Sequence, residues 1–224
     1  RLLSVDRFAD KYPSLSSYSY AAGNPVVFID VNGDSVNVSA LSSEQIIDYN
    51  KIIDEMSKSE KFLTMYQRLV NPNRVYRIIF GIVENSEAGG EFKPTKYGGI
   101  LVLPDGKPDA NLVGIYSHEF YHAFQRDVGG VPRSSYGKDI EALLFEKAVQ
   151  NDLYHSIFWT AGGNKEFNTA FTNLLLTDFS QTDWITAIKT FNKSSFYNEK
   201  LYKDLRPIIY DPPIKEFYPL LNLK

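Results

Sequence analysis

The chain contains no cysteine, which excludes disulfides and thiolate-ligated zinc while leaving the redox compartment open and an exported life possible. Long apolar runs are missing as well: none approaches the ~20 residues needed to span a bilayer. There is no excess of positive charge, since 24 Lys and Arg stand against 27 Asp and Glu for a formal net charge of −3. Without a basic footprint to neutralise phosphates, nucleic acid is not an expected partner. The sequence starts at Arg1 with no initiator Met and no basic-then-apolar leader, which reads as a piece of a longer protein whose export signal, if any, lies upstream. Histidine is scarce, with three in 224 residues. The rest is ordinary for a globular protein, 43% hydrophobic and 23% charged, and the length suits one sizeable domain with an appendage.

Residues 1 to about 35 are broken by Pro13, Gly23, Asn24-Pro25 and Asn32-Gly33, a spacing of short strands and tight turns. From Ser42 to about Leu69, Ile46, Ile47, Ile53, Met56, Phe62, Leu63 and Tyr66 recur at near-helical spacing, predicting one or two amphipathic helices. Val75 to Val83 predicts a buried strand, and Gly98 to Leu103 a second one closed by the Pro104-Asp105-Gly106 turn. Helices are predicted from Asn111 to about Arg126, ended by Gly129-Gly130, and from Asp139 to Leu153. Beyond Gly162-Gly163 the pattern is helical to about Asp204, and Pro207, Pro212, Pro213 and Pro219 make the final stretch irregular. No internal repeat or low-complexity tract is present.

Two of the three histidines fall in the run His118-Glu119-Phe120-Tyr121-His122. Four residues apart on a helix, two imidazoles stand one turn above each other and can grip one cation from the same face. Zinc held by neutral imidazoles polarises a water molecule, and a carboxylate beside the pair, Glu119, can take its proton. At about 100° per residue with His118 at zero, His122 lies near 40° and Glu119 near 100°. Leu112, Val113, Tyr116, Phe120, Ala123 and Phe124 all fall between about 120° and 240°. One side of the helix thus feeds a core and the other presents the histidine pair to a cleft. The bland alternative is an amphipathic helix whose polar face meets solvent, which has no need of this spacing.

Catalytic zinc usually takes three protein ligands and one open position. The metzincin arrangement is excluded, because it requires Gly at Gln125 and His at Val128. Asp127, Asp139, Glu141 and Glu146 are the candidates for the third ligand. With Glu141 at zero on its helix, Leu144, Phe145 and Ala148 lie within about 60°, whereas Asp139 and Glu146 lie near 160° and 140° beside Gln150. Glu141 therefore points inward, where a carboxylate needs a partner such as a metal, and Glu146 is expected to be exposed. That orders the candidates as Glu141, then Asp139, then Asp127, with a core salt bridge as the competing use of Glu141. The pairing of the His118 to His122 run with a Glu on a following helix, after residues 123 to 140, resembles the gluzincin metallopeptidases. It is also similar to zinc peptidase toxins at the ends of RHS proteins. In zincins an edge strand beside the metal pairs with the extended substrate backbone, which places Gly99, Ile100, Leu101 and Val102 as substrate-binding residues; a plain core strand is the other reading. Tyr136, Tyr154 and His155 are possible donors to the oxyanion, although His155 can equally satisfy carbonyls at its helix end.

The leading segment carries a second resemblance. Arg1-Leu2-Leu3-Ser4-Val5-Asp6, Ala9-Asp10-Lys11-Tyr12-Pro13-Ser14-Leu15, Tyr18-Ser19-Tyr20 and Asn24-Pro25-Val26-Val27-Phe28-Ile29-Asp30 resemble the closing segment of the RHS repeat-associated core. That resemblance covers about the first 33 residues and implies an upstream bacterial shell, with a variable C-terminal domain, often a toxin, following it. The expectation is therefore an α+β protein: residues 1–35 as an RHS-core tail and residues 36–224 as a zincin-like domain, mostly helical with a small sheet. The expected activity is zinc-dependent hydrolysis of peptide bonds in a protein or peptide substrate by a secreted or cell-surface bacterial effector, with a cognate immunity protein as a further partner. A zinc-binding interaction module without catalysis, and a zinc hydrolase of a cell-wall amide, are the alternatives.

Overall fold

The computed structural model describes residues 36–69, 74–81, 83, 89–128, 135–155, 180–186 and 213–223. Along the chain these form β1 (Val36–Asn37), α1 (Ser43–Met56), α2 (Glu60–Arg68), β2 (Val75–Phe80), β3 (Glu91–Thr95), β4 (Gly98–Leu103), α3 (Ala110–Val128) and α4 (Ser135–Tyr154). A helical stretch at 181–186 and a short helix at Phe217–Leu221 follow. The architecture is α+β, helices with a small mixed sheet. The RHS-like leading segment and most of the helical run expected between Gly162 and Asp204 lie outside the described residues.

Short polar side chains set the helix starts. Ser42 and Gln45 close a reciprocal capping box at α1, and the Ser59 side chain accepts from the Phe62 N–H at α2, satisfying donors that the first turn leaves without partners. Asp109 does the same for α3, taking the Leu112 N–H at 2.8 Å. The final stretch, expected to be irregular, contains the helix Phe217–Leu221 with Pro219 inside it. Pro219 is tolerated because it occupies the first turn, where the N–H it lacks would have no helical acceptor.

The sheet has the order β1-β2-β4-β3, with β1, β2 and β4 parallel and β3 antiparallel to β4. In the register that pairs Ile78 with Leu101, the alternate residues Tyr76, Ile78, Leu101 and Leu103 are buried, as the two-residue period of a half-buried strand requires. They join a core built from Tyr49, Ile52, Ile53 and Met56 of α1, Phe62 and Met65 of α2, and Val113, Tyr116, Phe120, Ala123 and Phe124 of α3. The Phe120 ring meets Phe62 and Tyr66 edge-on, at centroid distances of 6.0 and 5.3 Å.

On its other side α3 packs antiparallel to α4. Gln150 Nε2 donates to Ala110 O at one end of the pair, and Gln125 Nε2 to Lys138 O at the other. The approach is close at Gly114, where a Cβ would stand 2.4 Å from Gln150 Nε2. Tyr121 stacks on Phe145 at 4.7 Å and meets Phe217 edge-on at 6.3 Å, which carries the core on to Trp184.

β4 does not form the sheet's edge. It is hydrogen-bonded on both sides, to β2 and to β3, so Gly99, Ile100, Leu101 and Val102 have no backbone groups left to pair with a substrate strand. Gly99 is needed for packing instead: a Cβ there would lie 2.2 Å from Cε2 of the Phe92 ring, which covers it beside Tyr76. Gly98 is held more firmly still, with φ +141° and the Val75 carbonyl oxygen 2.0 Å from any added Cβ. Both the positive φ and a backbone atom oppose a side chain at this position. Gly98→Ala is therefore expected to cost more than about 1 kcal/mol, read as a lower urea midpoint at unchanged slope.

Candidate metal centre

The α3–α4 pairing carries the two histidines to the facing side of α4. His118 Nε2 and His122 Nε2 lie 3.2 Å apart, and Asp139 Oδ1 stands 3.4 Å from His122 Nε2. His118, His122 and Asp139 form a group whose ligand atoms all lie within 4.8 Å of one another. Two nitrogens bound at 2.0–2.1 Å to a tetrahedral zinc are roughly 3.3 Å apart, and a nitrogen and a carboxylate oxygen about the same. The His118–His122 and His122–Asp139 spacings, 3.2 and 3.4 Å, match that shape.

The other ring nitrogens test the fit independently. His118 Nδ1 is 3.2 Å from Glu146 Oε2, and His122 Nδ1 is 2.9 Å from Gln125 Oε1. Both partners are acceptors, so each neutral ring carries its hydrogen on Nδ1 and turns a bare Nε2 toward the other ring. Two lone pairs facing each other at 3.2 Å repel unless a cation stands between them. A metal ion satisfies the arrangement, and so does a proton. His118 shows the second case: burial works against its charged form, but the hydrogen bond to Glu146 and the charges of Glu119, Glu146 and Asp139 outweigh it and push its pKa up to about 8.

Glu119 is 4% exposed. Burial raises its carboxyl above the ordinary value, with the two imidazoles pulling in the opposite direction and Asp139 and Glu146 adding to the rise. It is roofed by Gly90, where a Cβ would stand 2.9 Å from the Glu119 Cγ and 2.8 Å from Ile115 Cγ2. Only glycine lets the chain pass so close to this carboxylate. Immediately after Gly90 the chain enters β3, whose outer side has no paired strand among the described residues.

Of the acids considered for the third ligand, the structure brings Asp139 to the pair and not Glu141. Glu141 points inward as its helical position indicates, but to a different set of partners. It accepts from Gln125 Nε2 at 2.8 Å, Tyr121 Oη at 3.3 Å and the Ile214 backbone N–H at 3.0 Å. Glu146, expected to be exposed, is largely covered. Burial alone would raise its carboxyl, yet Lys147 and His118 hold it below the ordinary value. The misplacement has one cause: α4 is enclosed on more than one side, with Ile140, Ala142, Leu144, Phe145, Ala148 and Val149 all buried, so pointing away from Leu144 and Phe145 does not mean pointing to water.

Asp127 serves the end of α3, near Arg74 Nε at 3.7 Å and accepting from Tyr76 Oη at 3.4 Å. Arg74 also donates to the Arg126 carbonyl, and Arg126 Nη2 reaches Thr95 O at 3.3 Å. Tyr154 and His155 sit at the far end of α4, about 22 Å from Asp139 at 1.5 Å per residue; they are not oxyanion donors to this group. The His155 N–H donates to Asn151 O. Tyr136 lies in α4, and its side chain is outside the described residues. Sequence reasoning missed Gln125 and Glu146 as partners of the imidazoles. Gln125 had a signal, standing three residues after His122 and hence on the same helical face; Glu146 had none.

No protein-family model matches the chain, and neither a curated protein nor a solved structure shows significant similarity to it.

Metal can bind only when the rings are neutral, so the raised pKa of His118 sets a pH dependence. Below about pH 8 the metal must displace a proton. The apparent zinc affinity is then expected to fall about tenfold per unit of pH, flattening above that value. Competition against a chromophoric chelator across pH measures it.

Proposed function

We propose that the protein is a zinc-dependent metallopeptidase in which His118, His122 and Asp139 hold the metal and Glu119 is the general base. The observation that carries this reading is the facing pair of bare imidazole nitrogens, 3.2 Å apart with the Asp139 carboxylate beside them, next to a buried carboxylate. A zinc ion bound there would supply a Lewis acid that polarises a carbonyl and brings the pKa of water down toward neutrality.

The chain's own residues perform the remaining steps. Glu119 takes a proton from the attacking water, whose oxygen adds to the scissile carbonyl carbon. The same carboxyl then delivers the proton to the amine nitrogen as the C–N bond breaks. Its burial supports both halves of the cycle, because a carboxyl raised above its ordinary value is a stronger base toward water and a proton carrier closer to neutral pH. The edge expected of β4 passes to β3. It begins directly after the glycine that roofs Glu119, and no strand among the described residues pairs with its outer side, to which an extended peptide can add with Pro94 offering a carbonyl and no N–H.

The leading residues that resemble an RHS core support a biological setting: a bacterial effector, secreted or held at the cell surface, released from an upstream shell and matched by a cognate immunity protein. No described helix is long and apolar enough to cross a membrane.

Glu119→Gln tests the chemistry. With zinc content unchanged, hydrolysis of an unfolded protein mixture is expected to drop by about 10²- to 10⁴-fold, read by sequencing newly formed termini. Retained cleavage would refute the assignment. Release of fragments from purified peptidoglycan but not from proteins would redirect it to a cell-wall amide. Zinc binding with no hydrolysis of either by the unaltered protein would leave an interaction module.

A further inference from the structure

We infer that Glu141, the acid whose position suggested a ligand, is instead a positioning residue that fixes which nitrogen of His122 is free to bind metal. The inference rests on the metal site proposed above and extends it to a relay of hydrogen bonds reaching the chain at residue 214.

The relay starts at groups whose polarity is not negotiable. The Ile214 backbone N–H can only donate, and it donates to Glu141 Oε1 at 3.0 Å; Tyr121 Oη donates to Oε2 at 3.3 Å. Glu141 is fully buried, and as a carboxylate it only accepts. Gln125 faces it with its amide nitrogen, 2.8 Å from Glu141 Oε2 and 3.0 Å from the Lys138 carbonyl oxygen. Two acceptors on one side leave the amide a single orientation, with –NH₂ toward Glu141 and Lys138 and Oε1 toward His122. Gln125 Oε1 lies 2.9 Å from His122 Nδ1. A carbonyl oxygen demands a hydrogen there, so the ring proton sits on Nδ1 and Nε2 is left bare. That nitrogen is the one directed at His118 Nε2 and Asp139 Oδ1.

His118 is set by a shorter route, through Glu146 and the buried Lys147 that donates to it. The two imidazoles thus reach the same tautomer through separate supports. Only the support behind His122 passes through an amide, a group that can flip.

The flip makes the inference testable. In Glu141→Gln, the Ile214 N–H still requires an oxygen, so the new –NH₂ takes the place of Oε2 and confronts the Gln125 –NH₂. Relief comes if the Gln125 amide turns over: it gives up the bond to the Lys138 carbonyl, but its Oε1 accepts from the new –NH₂ and its own –NH₂ donates to His122 Nδ1. The ring proton then moves to Nε2, where it can donate to His118 but blocks a metal. Trading the acid and the amide, Gln125→Glu together with Glu141→Gln, leaves the Lys138 carbonyl without its donor but puts an oxygen toward His122 Nδ1 in either orientation and lets the new –NH₂ at 141 donate to the carboxylate at 125.

The experiment reads the tautomer of His122 from imidazole nitrogen NMR shifts in the metal-free protein at alkaline pH. It reads zinc affinity separately, by chelator competition. Glu141→Gln is expected to move the proton from Nδ1 to Nε2 and to weaken zinc binding about 10- to 100-fold. The double exchange is expected to return the proton to Nδ1 and recover at least about tenfold of that affinity. A proton that stays on Nδ1 in Glu141→Gln overturns the relay whatever the affinity does, since a merely structural carboxylate would leave the tautomer unmoved. Should Glu141→Gln fail to fold, Gln125→Met removes the amide at similar volume; a mixture of tautomers is then expected, and an unchanged Nδ1 proton overturns the inference. If the tautomer switches while the unaltered protein binds no zinc, the relay stands and the metallopeptidase reading falls.

Discussion

Everything at the site follows from how near α3 comes to α4. Side chains on a helix reach only a few ångströms past its backbone, so two imidazoles on one helix can share a cation with an acid on another only if the axes nearly touch. Gly114 permits that approach one turn before His118, and the hydrogen bonds from Gln150 to Ala110 and from Gln125 to Lys138 fasten the pair at both ends. Because the helices run antiparallel, Glu146 falls beside His118 and Asp139 beside His122. The sheet, α1 and α2 supply the opposing wall that keeps α3 from retreating.

Much of this was legible in the sequence. The periodicity of Ile53, Met56 and Phe62 located α1 and α2, and the apolar runs at Val75 and Gly98 located β2 and β4. The helical wheel of α3 separated its core residues from its histidines, all of them buried as expected from Leu112 to Phe124. What stayed hidden has identifiable causes. β3 reads Glu-Phe-Lys-Pro-Thr, with too little apolar alternation and a proline that disfavours strand, and it exists because β4 offers it a free side. β1 is two residues long. Without β3 in view, β4 looked like a strand with an open edge.

The choice between Asp139 and Glu141 shows where periodicity stops being informative. A wheel reports which residues share a face, and it separated these two acids correctly. It cannot report what lies opposite a face when the helix is enclosed. Buried carboxylates also have two respectable uses, holding a cation or accepting several N–H and O–H donors. Glu141 takes the second: among the described residues its donors are Tyr121 and Gln125 of α3 and the N–H of residue 214, far apart in sequence and close only in the fold.

The contacts at the C-terminal end of α3 carry a mechanical consequence. Arg126 reaches from the histidine-bearing helix to the last carbonyl of β3, Arg74 just before β2 grips the Arg126 carbonyl and lies by Asp127, and Gly90 rests on Glu119 at the opposite end of β3. The edge strand is therefore pinned at both extremities to a single helix, like a ruler clamped to a bench. Breathing motions that shift the sheet against α1 and α2 would carry ruler and bench together, preserving the spacing between the outer side of that strand and the Glu119 carboxylate.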